Sequence, residues 1–353
     1  MLVLAIETSC DETAASVVLD GTGVLSSVVV SQIDAHKKYG GVVPELASRK
    51  HVEAISIVIE EALVRADLDP RKIEGIGVTR GPGLIGSLLV GIAAAKGMAL
   101  ALNRPICGVN HLHGHLFAAH LERDDIRFPF VGLVVSGGHT NLYHVKGPLD
   151  IELIGKTRDD AAGEAFDKVA KLLGLGYPGG VAIEQWAKGI DPASLSFRFP
   201  RALAEGNDLD FSFSGMKTAV LRHVQERFEL SRNKTKPGSF HPLIEPGATD
   251  VTDHAIGSIA AAFQDAVTEV LAIKAFRAAR RWGVNQLLVC GGVAANSALR
   301  TRVTAMSDEL GIEAIFPSLA LCTDNAAMIA ARADMLLTSG ITDNVGFGAK
   351  SRW

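Results

Sequence analysis

Cysteine is scarce in this chain and widely scattered. Its 353 residues include four, Cys10, Cys107, Cys290 and Cys322, and no two form a CxxC pair. The spacing suits buried free thiols in a reducing compartment better than a disulfide framework. A surplus of positive charge is also missing. The formal net charge is -4, so no bulk attraction to nucleic acid follows and any RNA contact must come from a local patch. Long uninterrupted apolar runs are absent too: the run 84–102 carries Gly86, Gly91, Lys96 and Gly97, which fits a core helix rather than a membrane span. The opening Met1-Leu2-Val3-Leu4-Ala5-Ile6 has no basic lead-in and runs straight into Glu7, so it reads as a buried strand and not a signal peptide. A cytoplasmic protein without a membrane segment is expected. With 48% hydrophobic and 21% charged residues the chain is globular, and its length suggests about two domains.

What is present centres on Asn110-His111-Leu112-His113-Gly114-His115. His111 and His115 are four apart, one turn above each other on a helix, which suits two ligands of one metal ion; structural histidines would show the same spacing. His113 points to another side. A zinc protease needs Glu directly after the first histidine, and Leu112 stands there.

In chain order, 2–6 reads as a strand, Glu7-Thr8-Ser9-Cys10-Asp11-Glu12-Thr13 as a polar turn, and 14–19 as a returning strand. Such a turn can hold a phosphate or hydrated cation, or can be an ordinary hairpin. A third strand spans 23–31, and a helix runs from Glu45 to about Arg65. The strand 73–78 ends in Gly81-Pro82-Gly83, glycines that admit either an anion at the next helix or tight packing. The strand 105–109 leads into the histidine helix. At Phe130 the opening design recurs: strand 131–135, turn Ser136-Gly137-Gly138-His139-Thr140, strand 141–145. This suggests internal duplication. A helix follows from Asp159 to near Gly174, then the turn Gly176-Tyr177-Pro178-Gly179-Gly180. The polar stretch 231–250, with Arg232, Lys234 and Lys236, reads as a solvated insertion or an RNA-touching loop. A long amphipathic helix is expected from Ile256 to Trp282. The strand 286–290, closed by Gly291-Gly292 and opening a helix at Asn296, is the strongest anion-site signal. Asp324 is either part of a helix cap or a third metal ligand.

Together these motifs resemble the tRNA threonylcarbamoyladenosine transferases, the bacterial TsaD group and its relatives. The marks are Glu7-Thr-Ser-Cys-Asp-Glu-Thr13, Gly81-Pro-Gly83, Asn110-His-Leu-His-Gly-His115, Ser136-Gly-Gly-His-Thr140, Gly163-Glu-Ala-Phe-Asp-Lys168, Tyr177-Pro-Gly-Gly180, Ser212-Phe-Ser-Gly215, Gly291-Gly-Val-Ala-Ala-Asn296 and Thr323-Asp-Asn325. The stretch 231–250 looks like an insertion relative to shorter members.

The resemblance implies an α/β, actin/hexokinase/Hsp70-like fold: two duplicated RNase H-like domains, here 1–127 and 128–353, with nucleotide in the cleft between them. It implies one divalent ion per subunit, Fe2+ or else Zn2+, on His111, His115 and Asp324. Adenylate contacts carry over to Val134, Val135, Ser136, Gly137, Gly138, Asp167, Gly180 and Asn296. Glu184 stands where relatives often have Asp, keeping the carboxylate on a longer arm.

The reaction implied is transfer of the threonylcarbamoyl group from threonylcarbamoyl-AMP to N6 of adenosine 37 in tRNAs that read ANN codons. On that reading the metal positions the threonylcarbamoyl part, and Asp11 and Glu12 are placed to take the amine proton. No covalent intermediate is needed, so Cys10 and Cys322 are expected to be packing residues. Implied partners are a paralogous TsaB-like protein and a small TsaE-like ATPase, with an exposed helix of the first domain as the expected surface. A sugar or acetate kinase on the same fold explains the phosphate loops but not the histidine pair. A metalloprotease lacks its Glu, and a nucleotide-switched scaffold would bind adenylate yet turn nothing over.

Overall fold

The computed structural model describes residues 1–228 and 252–353. The stretch 231–250, with Arg232, Lys234 and Lys236, lies outside the described residues. The chain divides into two compact units, one made of Met1–Arg127 with Phe316–Trp353 and the other of Phe128–Ile315.

The first unit opens with β1 (Leu2–Glu7), β2 (Glu12–Leu19) and β3 (Gly23–Ser31), then α1 (Ile33–Lys37), α2 (Pro44–Arg65), β4 (Gly75–Gly81), α3 (Ile85–Leu102), β5 (Ile106–Asn110) and α4 (His111–Ala118). Its sheet has the order β3-β2-β1-β4-β5. The first three strands are antiparallel neighbours, while β4 and β5 run parallel to β1. The central strand is covered on both faces, which is why it reads as an unbroken apolar run. Leu4 and Ile6 pack with Ile55, Val58 and Ile59 of α2 and Leu88 and Ile92 of α3. Val3 and Ala5, pointing the other way, share a second core with Val109 and Ala118.

The second unit contains β6 (Phe130–Val135), β7 (Thr140–Gly147), β8 (Asp150–Lys156), α5 (Ala162–Leu172), α6 (Gly179–Ala187), α7 (Ser214–Arg227), α8 (Asp253–Trp282), β9 (Gln286–Cys290), α9 (Ser297–Leu310) and β10 (Glu313–Ile315). Its sheet runs β10-β9-β6-β7-β8, again three antiparallel strands followed by two parallel ones. The duplication suggested by the two strand–turn–strand heads is therefore a repeat of the whole sheet topology. β8 has no counterpart in the sequence reading, because this edge strand is mostly exposed and mixes charged and apolar residues. The helix expected to be amphipathic, α8, is buried on nearly every face, with its own Ile259, Phe263, Val267, Val270 and Leu271 all inaccessible to solvent.

The chain ends with α10 (Leu319–Cys322) and α11 (Ala326–Thr338), and here the expected domain of 128–353 needs correction. Residues Phe316–Trp353 belong to the first unit. The reason is packing: Ala326, Ala327, Met328, Ile329, Ala330 and Ala333 complete the core behind Val3, Ala5 and Val109. Small residues permit the close approach, since a Cβ on Gly77 would stand 2.5 Å from that of Ala333.

Among the described residues two helices, α3 and α8, are long and apolar enough to cross a membrane by length and composition. Of these, α8 is a core helix. The other, α3, buries Leu88, Ile92, Ala95 and Ala99 but leaves Leu89 and Leu100 exposed, so the expected core helix over 84–102 is buried on one side only.

Candidate metal centre and adenylate loops

The histidine helix starts where it does because Asn110 caps it. The Asn110 side-chain oxygen accepts from the backbone amides of Leu112 at 2.9 Å and His113 at 3.3 Å. α4 therefore begins at His111, and the four-residue spacing brings the His111 and His115 rings to a centroid separation of 4.8 Å, edge to face. His113 lies on another face of α4, where burial, and then the charge of Arg332, hold its imidazole down to about 4.

The two readings of Asp324 separate here. Asn325 is the cap of α11, accepting from Met328 N at 2.9 Å, so Asp324 is not needed for that role. Its Oδ1 stands 3.2 Å from His115 Nε2 and 3.4 Å from His111 Nε2. All three donor atoms lie within 4.8 Å of one another. Bonds of about 2.0–2.2 Å to a tetrahedral ion put neighbouring donors roughly 3.3–3.6 Å apart, so this donor set fits one ion. Burial raises the Asp324 carboxyl, but the two imidazoles outweigh it and hold the group well below the usual carboxylate range. Burial lowers His111, and Asp324 and Glu7 more than reverse that, leaving it well above an ordinary histidine.

Glu7 ends β1 with no solvent exposure. One oxygen lies 2.9 Å from His111 Nδ1 and accepts from the Thr79 hydroxyl at 2.5 Å; the other accepts from Ser9 N at 2.5 Å. The turn that follows carries Asp11 and Glu12. Backbone Gln32 N donates to Asp11 O at 2.9 Å, and Ser31 Oγ donates to Glu12 at 3.3 Å. Burial, then the charges of Asp324 and Asp11, push the Glu12 carboxyl up to about 9. Glu12 is thus in electrostatic range of Asp324. Beneath the turn, His51 of α2 stands 2.7 Å from Thr13 Oγ1 through Nδ1 and 2.9 Å from Cys10 O through Nε2. The glycines after β4 serve close packing: a Cβ on Gly83 would stand 2.6 Å from Ser9 O.

In the second unit the expected adenylate residues are joined by a series of contacts. Val134 and Val135 end β6, and Ser136, Gly137 and Gly138 form its turn, the two glycines exposed. A Cβ on Gly163 would fall 2.6 Å from Ser136 O, so only glycine lets α5 start against that turn. Gly291, at φ +90°, comes equally close to Val135 O. Asp167 accepts from Gly179 N at 2.7 Å, which fixes the start of α6 and the neighbouring Gly180. Glu184, on α6, accepts from Ser297 N at 3.0 Å and lies 3.3 Å from Asn296 Nδ2. Its longer arm is thus spent on the N-terminus of α9. Asn296 caps that helix through Oδ1 and donates to Gln264 Oε1 at 2.8 Å.

His51 and Gln264 were not singled out from the sequence, and Glu7 and Gly163 stood there only within motifs, with no role of their own. Only Glu7 offered a signal, as a carboxylate ending a strand that is otherwise apolar. None of the four cysteines is in a disulfide; Cys107, Cys290 and Cys322 are buried and Cys10 is partly exposed.

Comparison with known proteins identifies the family. A family model described as TsaD, tRNA N6-adenosine threonylcarbamoyltransferase, matches residues 23–331. Relatives carrying that name include one from Anaeromyxobacter dehalogenans (strain 2CP-C), 52% identical with 99% of this chain and 98% of the relative covered. Another, from Geobacter metallireducens, is 52% identical with 100% of this chain and 97% of the relative covered. Among solved structures, HypF of T. kodakarensis superposes with a TM-score of 0.62 at 14% identity, covering 97% of this chain and 49% of that one. The Acidaminococcus fermentans (R)-2-hydroxyglutaryl-CoA dehydratase component A does so with a TM-score of 0.51 at 15% identity, covering 95% and 96%. At such identities these structures speak to the fold alone, which is the duplicated α/β architecture of the actin/hexokinase/Hsp70 class. Sequence decides the family: matched across residues 23–331 and about half identical to full-length relatives, the chain belongs to the TsaD family of tRNA N6-adenosine threonylcarbamoyltransferases.

Proposed function

We propose that this chain transfers a threonylcarbamoyl group from threonylcarbamoyl-AMP to N6 of adenosine 37 in ANN-decoding tRNAs and releases AMP. The observation that carries the reading is the convergence of His111, His115 and Asp324 on one point in a chain of this family. These three residues would hold a divalent ion, Fe2+ or else Zn2+. Such an ion supplies Lewis-acid polarisation and a fixed positive charge for the threonylcarbamoyl part. Two imidazoles and one carboxylate leave coordination positions for substrate.

The chain's own groups account for the rest. The turn Ser136-Gly137-Gly138, with Val134 and Val135 behind it, presents backbone to the adenylate, and Asp167, Gly180, Glu184 and Asn296 bound its other sides. Glu12, held protonated near neutrality, is a hydrogen-bond donor rather than a base, which leaves Asp11 as the candidate to take the proton of the attacking amine.

The partners we propose are a TsaB-like paralogue and a TsaE-like ATPase, with the reaction in the cytoplasm. A groove lined by Ile59 and Leu63 of α2 and Ala94 and Met98 of α3 offers the paralogue an apolar seat.

Nucleoside mass spectrometry of tRNA tests the reading, using cells depleted of the protein and complemented with wild type or His111→Ala. Threonylcarbamoyladenosine should fall on depletion and return only with wild type. An unchanged level, with no second gene copy present, would sink the transferase reading in favour of a kinase.

A further inference from the structure

We infer that Glu7 is a positioning residue for His111: it keeps a proton on Nδ1 and so turns Nε2 toward Asp324 and an ion bound beside it. The inference rests on the metal reading proposed above. A carboxylate oxygen in this role only accepts, so the 2.9 Å contact with His111 Nδ1 requires the proton to sit on that nitrogen. An imidazole protonated at Nδ1 has Nε2 alone to offer a metal.

Glu7 is itself held on every side. It is fully buried at the end of an apolar strand, a costly place for a charge that is not satisfied. Thr79 of β4, Ser9 N of the turn and His111 of α4 satisfy it from three different segments. The carboxylate therefore has no room to rotate away from the ring. Ser9 Oγ, 3.2 Å from the same Nδ1, is a second and more distant neighbour.

His115 lacks this arrangement. Its Nδ1 is buried with no hydrogen-bond partner among the described residues. The Nδ1 of one imidazole of the pair is thus set in advance by a carboxylate, while the other ring is held by its packing and by Asp324 at Nε2.

The alternative role for Glu7 is to tie β1 to β4 through Thr79. Three variants separate the two: Glu7→Gln keeps the size and removes the charge, Thr79→Val removes the tie, and His111→Ala removes the ligand. Zn2+ affinity, measured by competition with a chromophoric chelator, should fall roughly 10–100-fold in Glu7→Gln and change little in Thr79→Val. Imidazole 15N NMR of the Zn2+-loaded wild type should show His111 protonated at Nδ1 and bound through Nε2. Equal affinity in Glu7→Gln and wild type overturns the Glu7 assignment alone, as does zinc bound through His111 Nδ1. The NMR result decides by itself should Glu7→Gln not fold. A wild type that takes up no Zn2+ overturns the metal reading and this inference with it.

Discussion

Asn296 donates its side-chain amide to Gln264 at 2.8 Å while its oxygen caps α9 by accepting from Leu299 N at 3.0 Å. One side chain thus holds a helix start and is itself held by the core helix α8. Gln264→Leu removes a neutral hydrogen bond worth about 1 kcal/mol. The expected result is a KM for threonylcarbamoyl-AMP raised about fivefold with kcat nearly kept. Asn296→Ala also loses the cap, at about 1–2 kcal/mol, and should lower Tm by a few degrees in calorimetry.

Gly163 allows the start of α5 to meet the Ser136 turn, and the atoms in its way are backbone. Gly163→Ala cannot be absorbed by a side-chain rotation. It should cost about 1–3 kcal/mol of stability and abolish adenylate binding in titration calorimetry. Gly137→Ala meets nothing within 4 Å and should fold normally.

Glu12 links the site to pH. Its carboxyl is raised from 4.5 to about 9 by burial, then by Asp324 and Asp11. Between those values the folded chain holds a proton that the unfolded chain has released, so stability falls as pH rises through this window. At pH 7 the penalty is on the order of 3 kcal/mol. In chelator-treated protein Glu12→Gln should raise Tm and flatten its decline from pH 5 to 9. An unchanged Tm profile would show that Glu12 is ionised throughout.

His51 ties α2 to the turn that bears Asp11 and Glu12. Because Cys10 O can only accept, Nε2 carries the proton, and burial, which lowers the ring's pKa, favours that neutral form. Thr13 Oγ1 then donates to Nδ1. His51→Gln offers a donor and an acceptor in similar places and should keep most of the activity. His51→Leu leaves Cys10 O and Thr13 without their partner, and kcat should drop at least tenfold, as read in a tRNA modification assay.

Much of this protein was determined locally. The apolar run of β1, the spacing of His111 and His115, the glycines around Ser136 and Gly291 and the recurrence at Phe130 all follow from side-chain periodicity and backbone sterics over a few residues. They were enough to indicate duplicated α/β units and the residues worth examining. Other features required the chain to return from a distance. Asp324 stands beside His115 across 209 positions, and only that approach separates a metal ligand from a helix cap. The strand end at Glu7, the helix residue Gln264 and the return of Phe316–Trp353 to the first unit are decided the same way. Sequence periodicity states which face of an element will be buried, but not which distant element will cover it. That choice is made by the packing of the whole core, and with it the company each buried polar group keeps.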